Sequence, residues 1–148
     1  MTTTQTQTVH ELLGAGADTA TAISTVERPS LTFGGLRQLV RDTVVSLNQL
    51  GYGRGDAVAI VLPNGPEMAA SFVAIACGAT TAPLNPAYKD EEFEFYLTDL
   101  KAKALVVLQG WETPARAVAQ RLGVPVVELL PGEKAGDFTL AGGSKALR

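Results

Sequence analysis

Few side chains in this sequence can do chemistry, and they lie far apart. His10 is the single histidine and Cys77 the single cysteine. One histidine beside a polar terminus supports neither a Ser-His-Asp relay nor a histidine-based metal site. Cys77 sits in an apolar helical stretch and has no partner for an internal disulfide, so a small buried hydrophobe is favoured over a reactive thiol. Asp90, Glu91, Glu92 and Glu94 form the one dense group of carboxylates. Such a group can attract a divalent cation. In the first turn of a helix, however, it complements the positive end of the dipole, and that solvated role is the favoured reading.

Two glycine-rich stretches invite comparison with phosphate-binding loops. Gly51-Tyr52-Gly53-Arg54-Gly55 follows a predicted helix and precedes a predicted strand. A dinucleotide-binding loop needs the reverse order, so that a helix N-terminus meets the pyrophosphate. A helix cap and turn is the better reading. Gly142-Gly143-Ser144-Lys145 has some of the composition of a phosphate loop, but no predicted strand leads into it. There is no Gly-x-Ser-x-Gly elbow and no Gly-x4-Gly-Lys-Ser/Thr loop. No catalytic, cofactor-binding or metal-ligating residue is therefore assigned from sequence.

The elements that would position any chemistry are easier to read. Ala57 to Leu62 is an unbroken apolar run, the pattern of a strand covered on both faces. It ends in Pro63-Asn64-Gly65-Pro66, where Asn64 or Gly65 can cap a helix, Pro66 fits its first turn and Glu67 favours its dipole. That helix is predicted to run to about Ala79, and a second strand, Thr81 to Leu84, ends in Asn85-Pro86. Strand, crossover helix and strand make a right-handed parallel unit.

Around this unit, Val9, Leu12 and Leu13 are spaced for a short helix, and Thr21 to Val26 for a strand or half of a hairpin that returns through Leu31. Thr32 caps a helix whose apolar residues Leu36, Leu39, Val40, Val44, Leu47 and Leu50 recur at helical spacing. Gly34 and Gly35 weaken its first turn by about 1 kcal/mol each. Lys89 to Glu92 opens another helix, with Phe93, Tyr96, Leu97 and Leu100 as its buried stripe. Ala104 to Leu108 is a third strand. Thr113 and Pro114 start a helix with Ala115, Val118, Ala119 and Leu122 on one face, closed by Gly123, and Val124 to Leu129 is a fourth strand. After Pro131-Gly132 the pattern dissolves.

The fold class is α/β, a doubly wound, mostly parallel sheet flanked by helices. Residues 1–8 are expected to be a disordered leader, 9–130 the α/β subdomain and 131–148 a flexible linker. Ligands in such sheets bind beyond the carboxyl ends of the strands. Here those ends offer Pro63-Asn64, Asn85-Pro86 and Gln109-Gly110, none of them a strong acid, base or nucleophile.

Of 148 residues, 46% are hydrophobic and 18% charged, the balance of a globular chain. The net charge of -3 and the scattered Lys and Arg argue against nucleic acid or an anionic membrane as partner. The polar first residues carry no secretory leader, and no apolar run reaches the ~18 residues of a membrane span, so a cytoplasmic protein is expected.

Several motifs together resemble the N-terminal region of the adenylate-forming superfamily. They are Leu31-Thr32-Phe33 with its helix, Gly53-Arg54-Gly55-Asp56 leading into Ala57-Val58-Ala59-Ile60, and Leu62-Pro63-Asn64-Gly65-Pro66-Glu67. The stretch Ala82-Pro83-Leu84-Asn85-Pro86-Ala87-Tyr88, with the helix containing Glu91-Glu92-Phe93-Glu94-Phe95-Tyr96-Leu97, most resembles the branch of plant and fungal oxalate-CoA ligases. Gly35 departs from the pattern, standing where many relatives carry the Glu of a Thr-x-x-Glu capping box.

The resemblance implies a parent enzyme that activates a carboxylate with ATP and Mg²⁺ through an acyl-adenylate and passes the acyl group to coenzyme A. It also implies that the phosphate loop, adenine and ribose sites and mobile domain lie after Arg148, so no residue here inherits a catalytic role. The expected partner is then the remainder of the same ligase chain, with self-association of the 148 residues alone through uncovered apolar surface. An N-terminal ligase piece, inactive alone, is the favoured reading. The alternative is a stand-alone α/β binding or assembly module.

Overall fold

The computed structural model describes residues 8–142. The disordered leader expected for residues 1–8 lies outside the described residues except for Thr8, whose hydroxyl accepts a hydrogen bond from the Glu11 amide at 3.1 Å and caps helix α1, Val9–Leu12. A two-stranded antiparallel ladder follows, β1 (Thr21–Ile23) against β2 (Leu31–Thr32), which is the expected hairpin.

Helix α2 spans Phe33–Gln49. Its cap is Thr32, whose hydroxyl accepts from the Gly35 amide at 3.1 Å. Gly35 is more than a weak spot: a β-carbon there would come within 2.8 Å of Leu31 Cδ1. A side chain at position 35 would therefore require the buried Leu31 side chain to shift.

The main sheet has five strands in the order β4-β3-β5-β6-β7. Strands β3 (Ala57–Val61), β4 (Thr80–Pro83), β5 (Ala104–Leu108) and β6 (Val126–Pro131) are mutually parallel, and β7 (Phe138–Gly142) is antiparallel to β6. Three helices cross between the parallel strands: α3 (Pro66–Ala76), α4 (Asp90–Asp99) and α5 (Pro114–Leu122). The N-terminal signals expected for them are present. Pro66 and Pro114 start α3 and α5, and Gly123 closes α5 in the left-handed conformation.

Alternate residues of the central strands feed two cores, which is what the uninterrupted apolar run of β3 requires. Val58, Ile60, Val106, Val127 and Leu129 pack against Leu39, Val40 and Leu47 of α2 and Ala70, Ala74 and Ile75 of α3. Ala59, Val61, Leu105 and Val107 pack against Phe93 and Leu97 of α4 and Ala115, Val118 and Ala119 of α5. Each fully buried Leu, Ile or Phe in these layers stabilises the fold by about 1.5–3 kcal/mol. The doubly wound, mostly parallel α/β sheet is the expected one.

The C-terminal part differs from expectation. The segment read as a flexible linker from 131 onward contains β7, and its turn is anchored. Ala135 is fully buried and its amide donates to the Pro29 carbonyl at 2.8 Å. The Arg28 guanidinium donates to the carbonyls of Gly132 at 2.9 Å and Lys134 at 2.7 Å and pairs with Glu67. Those partners lie 39 to 106 residues from Arg28 in sequence, so no local pattern announces them. Several boundaries also move: β1 ends at Ile23 and not Val26, and β4 is Thr80–Pro83 and not Thr81 to Leu84. Helix α3 stops at Ala76, so Cys77 is its half-buried C-cap residue and not a mid-helix one. Strand β6 begins at Val126, after Pro125.

Candidate functional site

Parallel strands present all their carboxyl ends at one edge of the sheet, where the helix-bound loops leave. Pro63-Asn64 and Asn85-Pro86, singled out from sequence, meet there in a cleft of about 380 Å³ lined by Leu62, Asn64, Met68, Pro83, Leu84, Asn85 and Pro86. Gln109-Gly110 follows β5 on the same edge but does not line this cleft.

Local hydrogen bonds fix the two loops. Asn85 Oδ1 accepts from the Ala87 amide at 2.9 Å, and the Asn85 carbonyl accepts from the Tyr88 amide at 3.1 Å, so the chain turns immediately after β4. Tyr88 then stacks on Tyr96, centroids 5.1 Å apart, and meets Phe93 edge-on at 5.8 Å. A hydrogen bond with Tyr96 is the main cause that pushes the Tyr88 phenol above its ordinary value. On the other side Glu67, in the first turn of α3, is held by Arg28. The loop after β5 is clamped in a similar way: Arg116 donates to the carbonyls of Trp111 at 2.8 Å and Leu108 at 2.7 Å and grips both oxygens of Glu128. The Glu128 carboxylate holds that guanidinium firmly protonated, above its ordinary value.

The cleft offers two carboxamides, an apolar floor and no titratable side chain. It can shape a ligand and hydrogen-bond to it; it supplies no proton shuttle or nucleophile. The phosphates of ATP need cationic or clustered amide donors, and Mg²⁺ needs carboxylates. This donor set fits neither. The acidic group at the start of α4 has structural partners instead: Glu92 accepts from the Lys89 amide at 3.2 Å and Glu94 pairs with Arg121 at 2.9 Å.

At the opposite end of the sheet, the single histidine and the single cysteine come together, which sequence did not indicate. His10, Arg54 and Cys77 share a cavity of about 340 Å³ with Gly55 and Thr80. Burial pushes the Cys77 thiol up, which disfavours the thiolate. His10 and Cys77 lie too far apart in the chain for spacing to have linked them.

Comparison with known proteins gives this architecture a context. Residues 14–142 match the family model described as AMP-binding enzyme. The chain is 42% identical over 113 residues to the probable CoA ligase CCL9 of Humulus lupulus, covering 75% of this chain and 21% of that protein. It is 35% identical over 122 residues to the oxalate-CoA ligase of Arabidopsis thaliana, covering 81% of this chain and 24% of that protein. The crystal structure of apo MatB from Rhodopseudomonas palustris shares the fold, with a TM-score of 0.71 at 24% identity, over 86% of this chain and 26% of MatB. The chain therefore spans about a quarter of the length of these relatives. A family match that begins before β1 and ends on β7 shows that the chain belongs to the AMP-binding enzymes.

Proposed function

We propose that this chain is the N-terminal subdomain of an AMP-forming carboxylic acid-CoA ligase, and that oxalate is the acid. The observation that carries the reading is the match of residues 14–142 to the AMP-binding enzyme family, a stretch that contains every strand from β1 to β7. The likeness to the oxalate-CoA ligase of Arabidopsis over 81% of the chain supports the choice of acid.

In this reading the chain contributes a rigid sheet and one wall of a binding cleft, through Asn64, Asn85 and the apolar residues between them. The parent enzyme joins the carboxylate to AMP with release of pyrophosphate, then transfers the acyl group to coenzyme A. ATP, Mg²⁺ and coenzyme A are held by the remainder of the ligase, the partner of this subdomain. Its site of action is the cytoplasm.

The test is ATP-pyrophosphate exchange by the protein encoded by the whole reading frame, with oxalate, malonate, 4-coumarate and acetoacetate as acids. Exchange driven by oxalate is expected, and residues 1–148 alone should be silent. Exchange with another acid and not with oxalate overturns the substrate. No exchange with any carboxylate overturns the ligase reading and leaves a binding module.

A further inference from the structure

Helix α3 differs from α2, α4 and α5 in the charge of its outer face. Phe95 of α4 and Val45 of α2 are exposed, but beside Glu91, Glu94 and Asp99 on α4 and Gln38, Arg41 and Asp42 on α2, and α5 exposes Gln120 and Arg121. Helix α3 turns Ala70, Ser71, Ala74 and Ile75 into the core, and its opposite side is also apolar. Ala69 and Phe72 are exposed there, Phe72 by 41%, and Val73 and Ala76 are only half-buried. These four recur at i, i+3, i+4 and i+7, so the helix carries a second apolar stripe on its outer face. A helix apolar on all sides belongs inside a protein.

The surroundings extend the pattern. From Ala57 to Tyr88 the sequence contains one charged residue, Glu67, and its charge is already matched by Arg28. Depletion of charge is what marks the core of a buried interface. Met68, at the head of the helix, lines the carboxyl-end cleft, so the outer face of α3 is continuous with one wall of that cleft.

We infer that the outer face of α3, centred on Phe72, is the docking surface for the part of the ligase chain that follows residue 148. The inference rests on the ligase reading. The length of the relatives supports this occupant over a second copy: MatB from Rhodopseudomonas palustris matches 86% of this chain with only 26% of its own, which leaves ample chain to form another layer. A layer seated on Ala69, Phe72, Val73 and Ala76 also closes the cleft on its Met68 side. Docking and completion of the cleft are thereby one event.

The test is thiol labelling of Phe72→Cys, with Gln120→Cys on the outer face of α5 as control, both in a Cys77→Ala background. Labelling is compared between residues 1–148 and the protein from the whole reading frame. Position 72 is expected to label freely in the short chain and about tenfold or more slowly in the long one, while position 120 labels freely in both. Equal labelling of position 72 in both proteins overturns the inference. Protection of position 72 in the short chain that is relieved on dilution makes a second copy the occupant and also overturns it. A reading frame that stops near residue 148 overturns it together with the ligase reading. Pyrophosphate exchange by the long protein separates the two: an active ligase with an open position 72 refutes the docking surface alone.

Discussion

Arg28 and Glu67, 39 residues apart, form an ion pair that ties the hairpin turn between β1 and β2 to the first turn of α3. The same guanidinium also donates to the carbonyls of Gly132 and Lys134, so one side chain joins three segments that share no local sequence signal. Neither partner is more than about a third exposed, and each bond involves a charged group. Arg28→Ala should therefore cost about 2 kcal/mol, measured by urea denaturation. Arg28→Lys should recover little of this, because an ammonium cannot span a carboxylate and two carbonyls in a planar fork. Full recovery by lysine would refute the three-way bridge.

The aromatic residues of α4 separate packing from exposure within three positions. Phe93 is fully buried against Val61 and Leu105, and Phe95 is 61% exposed, touching Tyr96 edge-on at 5.2 Å. Phe93→Ala should cost about 3–5 kcal/mol, enough to unfold a domain of ordinary stability. Phe95→Ala should cost less than about 1 kcal/mol. Thermal melts of the two variants check the contrast, and similar losses would contradict the placement of α4.

Gly136 has φ +85, and a β-carbon there would meet the Pro66 carbonyl at 3.1 Å and Ile23 Cδ1 at 3.2 Å. Gly123 has φ +74 but open space around it. Replacing Gly123 by alanine should cost about 1 kcal/mol, the strain of the left-handed backbone. Gly136→Ala adds overpacking and should cost about 1–3 kcal/mol more. Chemical denaturation should rank them in that order; the reverse order would mean that the β6–β7 turn is not pressed against α3.

Stability should fall in alkali. Tyr52 is buried, and its phenol is pushed above the ordinary 10.0, first by desolvation and then by the Asp56 carboxylate. Once the pH exceeds about 10, the unfolded tyrosine loses its proton while the native one keeps it. The native state then binds more protons, so stability is complete below that pH and is lost as pH rises towards the raised value. Tyr88, also raised, adds to the slope. Urea midpoints for Tyr52→Phe should decline less steeply between about pH 9 and 11 than those of the parent. An unchanged slope would remove Tyr52 from the account.

Much of the fold was legible because its signals are local. Thr32, Pro66 and Pro114 start helices, Gly123 ends one, and the apolar run of β3 needs cover on both faces. The cleft was legible one step further, since the strand ends at Asn64 and Asn85 follow from parallel topology. What escaped depends on distance. Phe138 and Leu140 of β7 are too few to show a period, and their turn is held by Pro29 and Arg28. Helix α3 stops at Ala76, three residues short of the expected Ala79, and the close approach of Val44 of α2 to Gly78, 3.0 Å from where a β-carbon would lie, is a contact between helices that no run of residues displays.

The antiparallel β7 has a consequence for how the polypeptide is routed. Its last residue, Gly142, sits opposite Val127, near the beginning of β6. The backbone thus passes Gly142 travelling away from the cleft, about 14 Å of strand behind where Pro131 left it. Any later loop that is to face Asn64 and Asn85 must first retrace that length, which takes at least about four extended residues. The hairpin thus acts as a spacer that sets a minimum length of chain between Gly142 and any loop returning to the cleft edge.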